Sequence, residues 1–209
     1  VGELDLLGIV NGDAAFLVRA LFAHGALEAL PQVTAPGSLG VVILDAESFN
    51  QQVERMGAKS NVNFCAVLRH IDAVWKRWPN DHPRVIVDRQ GGRTHYLNDL
   101  LHAWPDAKAQ VLAETETISR YRLELDGSFI TISFIVEAES AHLPVALASM
   151  TAKYVRELLM LRFNRYFQSL MPELKPTAGY YGDGRRYLND IEPLIDRLGI
   201  DRQSLIRSV

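Results

Sequence analysis

From Asp13 to Leu30 apolar residues recur at helical spacing, with Asp13 placed to cap the first turn, and the pattern predicts a helix. The segment from Pro31 to Pro36 breaks it. Leu39 to Leu44 is a short, uniformly apolar run that suits a strand buried on both faces better than half a helix, and Asp45 ends it. Residues 46–57 form a helical pattern closed by Gly57. A longer one runs from Asn61 to Trp78, capped by Ser60, with Phe64, Leu68, Ile71 and Trp75 on its buried face; Pro79 stops it.

Arg84 to Val87 reads as a second buried strand that delivers Asp88 to its end, followed by a Gly91-Gly92 turn and a helix from His95 to Trp104. Gln110 to Glu114 is another strand. Ile118 to Leu125 and Ser128 to Val136 flank Asp126-Gly127, a dipeptide suited to the tight turn of a hairpin. The longest helical pattern runs from Pro144 to Leu170, with Pro172 beyond its end. Residues 173–184 read as a Pro/Gly/Tyr loop, and two closing helices, 184–198 and 202–207, flank Gly199. With no repeat, low-complexity tract or linker, one mixed α/β domain over residues 1–209 is expected.

Composition narrows the function classes. At 48% hydrophobic and 22% charged residues the chain is an ordinary globular protein, neither disordered nor collagen-like. Its apolar runs fall short of the ~20 residues a spanning helix needs, and no basic-then-apolar leader opens it, so no membrane partner is expected. A lone Cys65 gives no internal disulfide and no thiolate cluster for zinc or iron-sulfur chemistry, which reads as cytoplasmic. The formal charge of -3 denies the protein a global positive field for nucleic acid, so any phosphate-binding surface is local. The chain starts at Val1, and the sequence reads as a fragment or a processed product.

Four segments could carry chemistry. Asp88 is a carboxylate at the carboxyl end of an apolar strand, where open α/β sheets gather ligands; it could hold a hard cation or simply cap a turn. Glu137 and Glu139, two apart, could share a face toward one cleft, or be surface charges at a strand-helix junction. Small residues at Ala146, Ala148, Ser149 and Ala152 allow close helix packing, and Lys153 and Arg156, three apart, could grip phosphate. Lys175 to Arg186 carries glycines, Tyr180-Tyr181 and Arg185-Arg186, a composition suited to stacking on a base or sugar; equally, it could be a connecting loop over the core edge.

The order of these pieces resembles ribonuclease HII, the type 2 ribonuclease H family. The resemblance is carried by Asp45-Ala-Glu-Ser-Phe49-Asn50, Val85-Ile-Val-Asp88, a strand-end acid, Ala146-Leu-Ala-Ser149-Met-Thr-Ala-Lys153-Tyr-Val-Arg156-Glu157 and Gly179-Tyr180-Tyr-Gly-Asp183, over residues 38–198. It implies a ribonuclease H-like mixed sheet flanked by helices, with an extra β-hairpin and a C-terminal helical segment. Asp88 and Glu139 would then be catalytic metal ligands for Mg²⁺ or Mn²⁺. Arg93, Lys153, Arg156, Tyr180, Asp183 and Arg185 would contact substrate, an RNA/DNA hybrid whose RNA strand is hydrolysed. The family's opening Gly-Ile-Asp-Glu-Ala-Gly-Arg-Gly strand has no counterpart here; residues 1–30 then correspond to the helix after it, and that strand lies upstream of Val1 or is lost. Two acids are too few for two ions without further ligands. A catalytically silent module of the same fold, binding nucleic acid or a protein, is the alternative. A small-molecule enzyme using Gly91-Gly92 for phosphate lacks any Gly-x-Gly-x-x-Gly or Walker pattern.

Overall fold

The computed structural model describes residues 40–207. The helix expected over residues 13–30 lies outside them. Among the described residues the elements are α1 (Ala46–Met56), α2 (Lys59–Arg77), β1 (Arg84–Asp88), α3 (Leu97–Ala103), β2 (Lys108–Glu114), β3 (Ile118–Leu125), β4 (Ser128–Ile135), α4 (Ala138–Ala141), α5 (Leu143–Leu170) and α6 (Tyr181–Leu198), then a 3₁₀ turn at Arg202–Ser204. The architecture is mixed α/β, a four-stranded mixed sheet flanked by helices, as expected. The chain separates into two compact units, one of residues 63–149 and one that joins residues up to 62 with those from 150 onward.

The first unit holds the sheet, in the order β1-β4-β3-β2. The Asp126-Gly127 turn takes left-handed backbone at both residues, φ 49 and 77, which matches the twist of the flanking strands and sets the β3/β4 hairpin in register, Leu125 opposite Ser128. Period-two alternation then puts Ser119, Tyr121 and Leu123 of β3 opposite Phe134, Ile132 and Ile130 of β4 on one buried face. Tyr96, just before α3, stacks flat on Phe134 with ring centroids 3.6 Å apart. Phe64 and Trp75 of α2 are buried as expected, and the Trp75 indole donates to Ser128 Oγ at 2.7 Å. At the edge strand β2 the register shifts between Val111 and Ala113, a bulge that discourages further strand pairing there.

The second unit is helical. Phe163 and Phe167 of α5 pack on Tyr187 and Ile191 of α6, with Leu174 and Leu205 closing the cluster. Asp45 caps α1 through Ser48 N at 2.7 Å, and Gly57 ends it in the left-handed region, as the sequence predicts.

Three expectations are corrected. Among the described residues Gly40 to Leu44 forms no strand, only a single bridge at Val41; an apolar run becomes a strand only where a ladder of backbone partners runs along it. Helix α2 starts at Lys59, so Ser60 lies inside it rather than capping it. Helix α6 starts at Tyr181 and takes in residues 181–184, where Asp183 puts a negative charge in the first turn; the last helical pattern shrinks to the 3₁₀ turn. No helix among the described residues is long and apolar enough to cross a membrane.

Truncating the stacked core ring should be costly. Phe134→Ala is expected to lower the unfolding free energy by about 3–5 kcal/mol in urea titrations, whereas Val111→Ala on the exposed face of β2 should change it by less than about 0.5 kcal/mol.

Candidate functional site

The first candidate surface is built by the parallel strand pair of β1 and β4. β1 and β4 run side by side with Asp88 opposite Ile135, and Arg89 N–H donates to Ile135 C=O at 2.8 Å. Parallel strands leave a sheet at the same end. The chain after β4 turns through Glu137, which holds left-handed backbone (φ 52, ψ 41), a conformation a non-glycine residue adopts only when its surroundings hold it there. That turn aims Ala138 N–H at the neighbouring strand end, where it donates to Asp88 Oδ1 at 2.9 Å. Both acidic segments singled out in the sequence are thereby joined.

The two carboxylates are not equivalent. Asp88 is half-buried with Oδ1 used as a cap, and among the described residues Oδ2 accepts no hydrogen bond. Glu139 is exposed, in the first turn of α4, and makes no ion pair or hydrogen bond among the described residues. Two residues beyond Asp88, the Gln90 side-chain amide is shut away from solvent with neither its oxygen nor its nitrogen partnered. An orphaned amide costs free energy unless a bound group meets it. Asp88, Glu139 and the Gln90 amide oxygen two residues beyond Asp88 are hard oxygen donors of the kind Mg²⁺ and Mn²⁺ take. They do not make up a two-ion centre, and no group of three or more His, Cys, Asp or Glu that could hold a metal occurs among the described residues.

Arg93, expected to contact substrate, faces inward. It pairs with Asp99 at 3.1 Å and lies over the Phe64 ring, 4.8 Å from its centroid. The turn that carries it is fixed by groups the sequence reading passed over. Tyr96 N–H donates to Tyr121 Oη at 3.0 Å, the Tyr121 hydroxyl donates to Glu114, and Glu114 pairs with His95 Nδ1 at 3.0 Å. Burial, then the Glu114 hydrogen bond, pushes the Tyr121 hydroxyl up to about 12; the same Tyr121 bond, aided by His95, lowers Glu114. Glu114 and Tyr121 stand across adjacent strands seven apart in sequence, a pairing that only strand register reveals.

The second candidate surface belongs to the helical unit. Thr177 is clamped to Asn164 of α5 by two hydrogen bonds of 2.8 Å, Asn164 Nδ2 to Thr177 O and Thr177 N to Asn164 Oδ1. Asp183 accepts from Thr177 Oγ1 at 2.6 Å, from Ala178 N at 2.8 Å and from Arg186 at 2.7 Å. These bonds, Thr177 first, hold its carboxyl down at about 2. Arg156 is buried; it donates to Ala178 O at 2.5 Å and to Glu157 at 2.7 Å, and its guanidinium lies 4.9 Å from the centre of the Tyr180 ring. Gly179 has φ 77, the left-handed region that favours glycine, and a Cβ there would also press on the end of the Met160 side chain at 3.2 Å.

Of the residues expected to touch substrate, then, Arg156 and Asp183 are spent on holding the loop, while Tyr180 is exposed above Arg156. Lys153 is exposed and makes no ion pair among the described residues. Arg185 is exposed and leans on Tyr181, its Nη1 3.3 Å from the phenol oxygen. Lys153 and Arg156 therefore do not form one phosphate grip: the first faces solvent and the second is buried. Asn164 and Thr177 were missed; the available signal was an amide at a position whose helical neighbours Phe163 and Phe167 are core.

Two outcomes follow. Asp88→Ala, which removes the acceptor for Ala138 N–H, should destabilise the fold by about 0.5–2 kcal/mol in thermal unfolding, while Asp88→Asn, which keeps one, should cost only a few tenths. Because Asp183 is lowered from 3.8 to about 2, its contribution is present above its ordinary value and lost as pH falls from near 4 toward 2. NMR of the Gly179 amide should show the loop loosening over that window, and Asp183→Asn should abolish the acid-dependent step.

Compared with protein-family models, with characterised proteins and with solved structures, the chain matches none.

Proposed function

We propose that the chain is a divalent-cation-dependent phosphodiester hydrolase of the ribonuclease HII kind, acting on the RNA strand of RNA/DNA hybrids. The observation that supports it is the Asp88 Oδ1 to Ala138 N hydrogen bond across the parallel β1/β4 pair, which holds the Asp88 and Glu137–Glu139 segments at one sheet end. Asp88 and Glu139 would hold the cation, Mg²⁺ or Mn²⁺. When bound, such an ion lowers the pKa of its water and offsets charge on a phosphate oxygen. The remaining work falls to the chain itself. Asp88, fixed by its cap bond, presents Oδ2 without the entropy cost of ordering a free side chain. Exposed Lys153 and Arg185 suit salt-dependent phosphate contact, and the Tyr180 ring, backed by the Arg156 guanidinium, suits stacking on a base or sugar.

The second reading, a silent module that binds nucleic acid without cutting it, is favoured by the Asp88 cap itself and by the absence, among the described residues, of any group of three or more His, Cys, Asp or Glu that could hold a metal. Cleavage separates the two. With Mg²⁺ or Mn²⁺ the protein carrying its native N-terminus should cut a labelled RNA/DNA hybrid, and Asp88→Asn should reduce the rate at least about a hundredfold with hybrid affinity little changed. Hybrid binding without cleavage by the unaltered protein would establish the silent module instead.

A further inference from the structure

One row of the sheet crosses all four strands at the end that carries Asp88. Asp88 stands opposite Ile135, Ile135 opposite Ile118, and the next residue of β3, Ser119, opposite Glu114 at the end of β2. Neighbouring strands lie ~4.8 Å apart, which puts Glu114 about 14 Å along that end from Asp88. Arg89 ties the row together, donating across β4 to Ser119 Oγ at 2.9 Å and to Thr115 O at 3.1 Å. Asp88 and Glu114 therefore belong to one end of the sheet.

Glu114 divides its two oxygens. Oε1 accepts from the Tyr121 hydroxyl; Tyr121 is buried and its oxygen accepts in turn from Tyr96 N–H at 3.0 Å, so the carboxylate is fixed from the core. Oε2 stands 3.0 Å from His95 Nδ1, and the His95 side chain is 75% exposed. A carboxylate only accepts, so the shared proton sits on Nδ1, and the neutral imidazole is left with a bare acceptor, Nε2, on its solvent side. Surface pairs between free side chains hold a ring loosely. Here the buried hydroxyl orders the carboxylate beforehand. The cations of the same turn are engaged, Arg89 with the β2/β3 connection and Arg93 with Asp99.

Within a nucleic-acid strand, phosphate and deoxyribose oxygens accept hydrogen bonds and cannot donate. The ribose 2′-hydroxyl does both, and by it a protein tells RNA from DNA. An acceptor at this place has that one partner on a sugar-phosphate backbone. We propose that His95 Nε2, oriented by Glu114, accepts a hydrogen bond from a 2′-hydroxyl of the RNA strand and so sets a preference for RNA over DNA. For its ligand the inference rests on the nuclease reading. At ~3.4 Å of rise per nucleotide, the contact falls about four nucleotides from the strand position at Asp88.

Fluorescence anisotropy without divalent cation, at about pH 8, compares an RNA/DNA hybrid with the same hybrid whose RNA strand carries 2′-fluorine, which lacks the donor. The unaltered protein should bind the first about fivefold more tightly, the factor one neutral hydrogen bond confers. His95→Phe should equalise the two, whereas His95→Gln, whose amide oxygen still accepts, should keep most of the preference. Glu114→Gln should abolish it with the fold intact, because the new amide keeps an oxygen for Tyr121 and turns an N–H toward His95, moving the imidazole proton to Nε2. Nitrogen-15 NMR of the imidazole reads that shift without nucleic acid: Nδ1 should be protonated in the unaltered protein and Nε2 in Glu114→Gln. A proton on Nε2 in the unaltered protein, equal affinity for the two hybrids, or a preference that survives His95→Phe would overturn the proposal and leave the nuclease reading standing. Failure to bind either hybrid would remove both.

Discussion

Parallel pairing of β1 with β4 is the constraint from which the candidate chemistry follows. An antiparallel neighbour would send the chain after Asp88 and the chain after Ile135 to opposite ends of the sheet. Side by side, both strands release their polar tails at one end, and the left-handed turn at Glu137 converts that proximity into a bond from Ala138 N–H to Asp88. A carboxylate fixed in this way caps the backbone through one oxygen and leaves the other for a ligand. The strain at Glu137 is the cost of aiming the amide there.

The helical unit uses charge differently. Buried Arg156 and the low-pKa Asp183 point at the Ala178 backbone, the Thr177 hydroxyl and Arg186, so their charges are spent inside the protein. What reaches solvent is the Tyr180 ring that this framework holds, together with Lys153 and Arg185. Arginine suits the inner role because its planar fork meets a carbonyl, a carboxylate and an aromatic face at once. A loop rich in glycine and proline is thereby given one conformation.

Much of the fold was legible in the sequence where local signals and long-range pairing agree. Asp126-Gly127 between alternating apolar strands gave the hairpin; Asp45 and Gly57 bracketed α1; Pro79 and Pro172 lay just beyond helix ends. The apolar run before Asp45 misled because burial on both faces resembles a strand whether or not a neighbour exists to pair with it. The loop read over residues 173–184 misled because Gly182 and Gly184 suggested irregular backbone, while the Asp183 network in the first turn of α6 includes Thr177, which is itself held by Asn164 thirteen residues earlier in α5. For the site, Asp88 at a strand end was visible from one apolar run. The inward use of Arg93, Arg156 and Asp183 was not, since a charged residue in a loop carries the same letter whether it faces solvent or a carbonyl. The His95–Glu114–Tyr121 chain, set by register across β2 and β3, left no linear trace.

The central claim is that the sheet end holding Asp88 binds a hard divalent cation, and Mn²⁺-induced broadening of backbone amide signals in solution tests it without requiring turnover. The account predicts that substoichiometric Mn²⁺ broadens the amides of residues 88–91 and 137–140 first, that excess Mg²⁺ restores them, and that Asp88→Asn abolishes the effect while the rest of the spectrum is kept. Uniform broadening across the surface, or broadening at those amides that persists in Asp88→Asn, would contradict it.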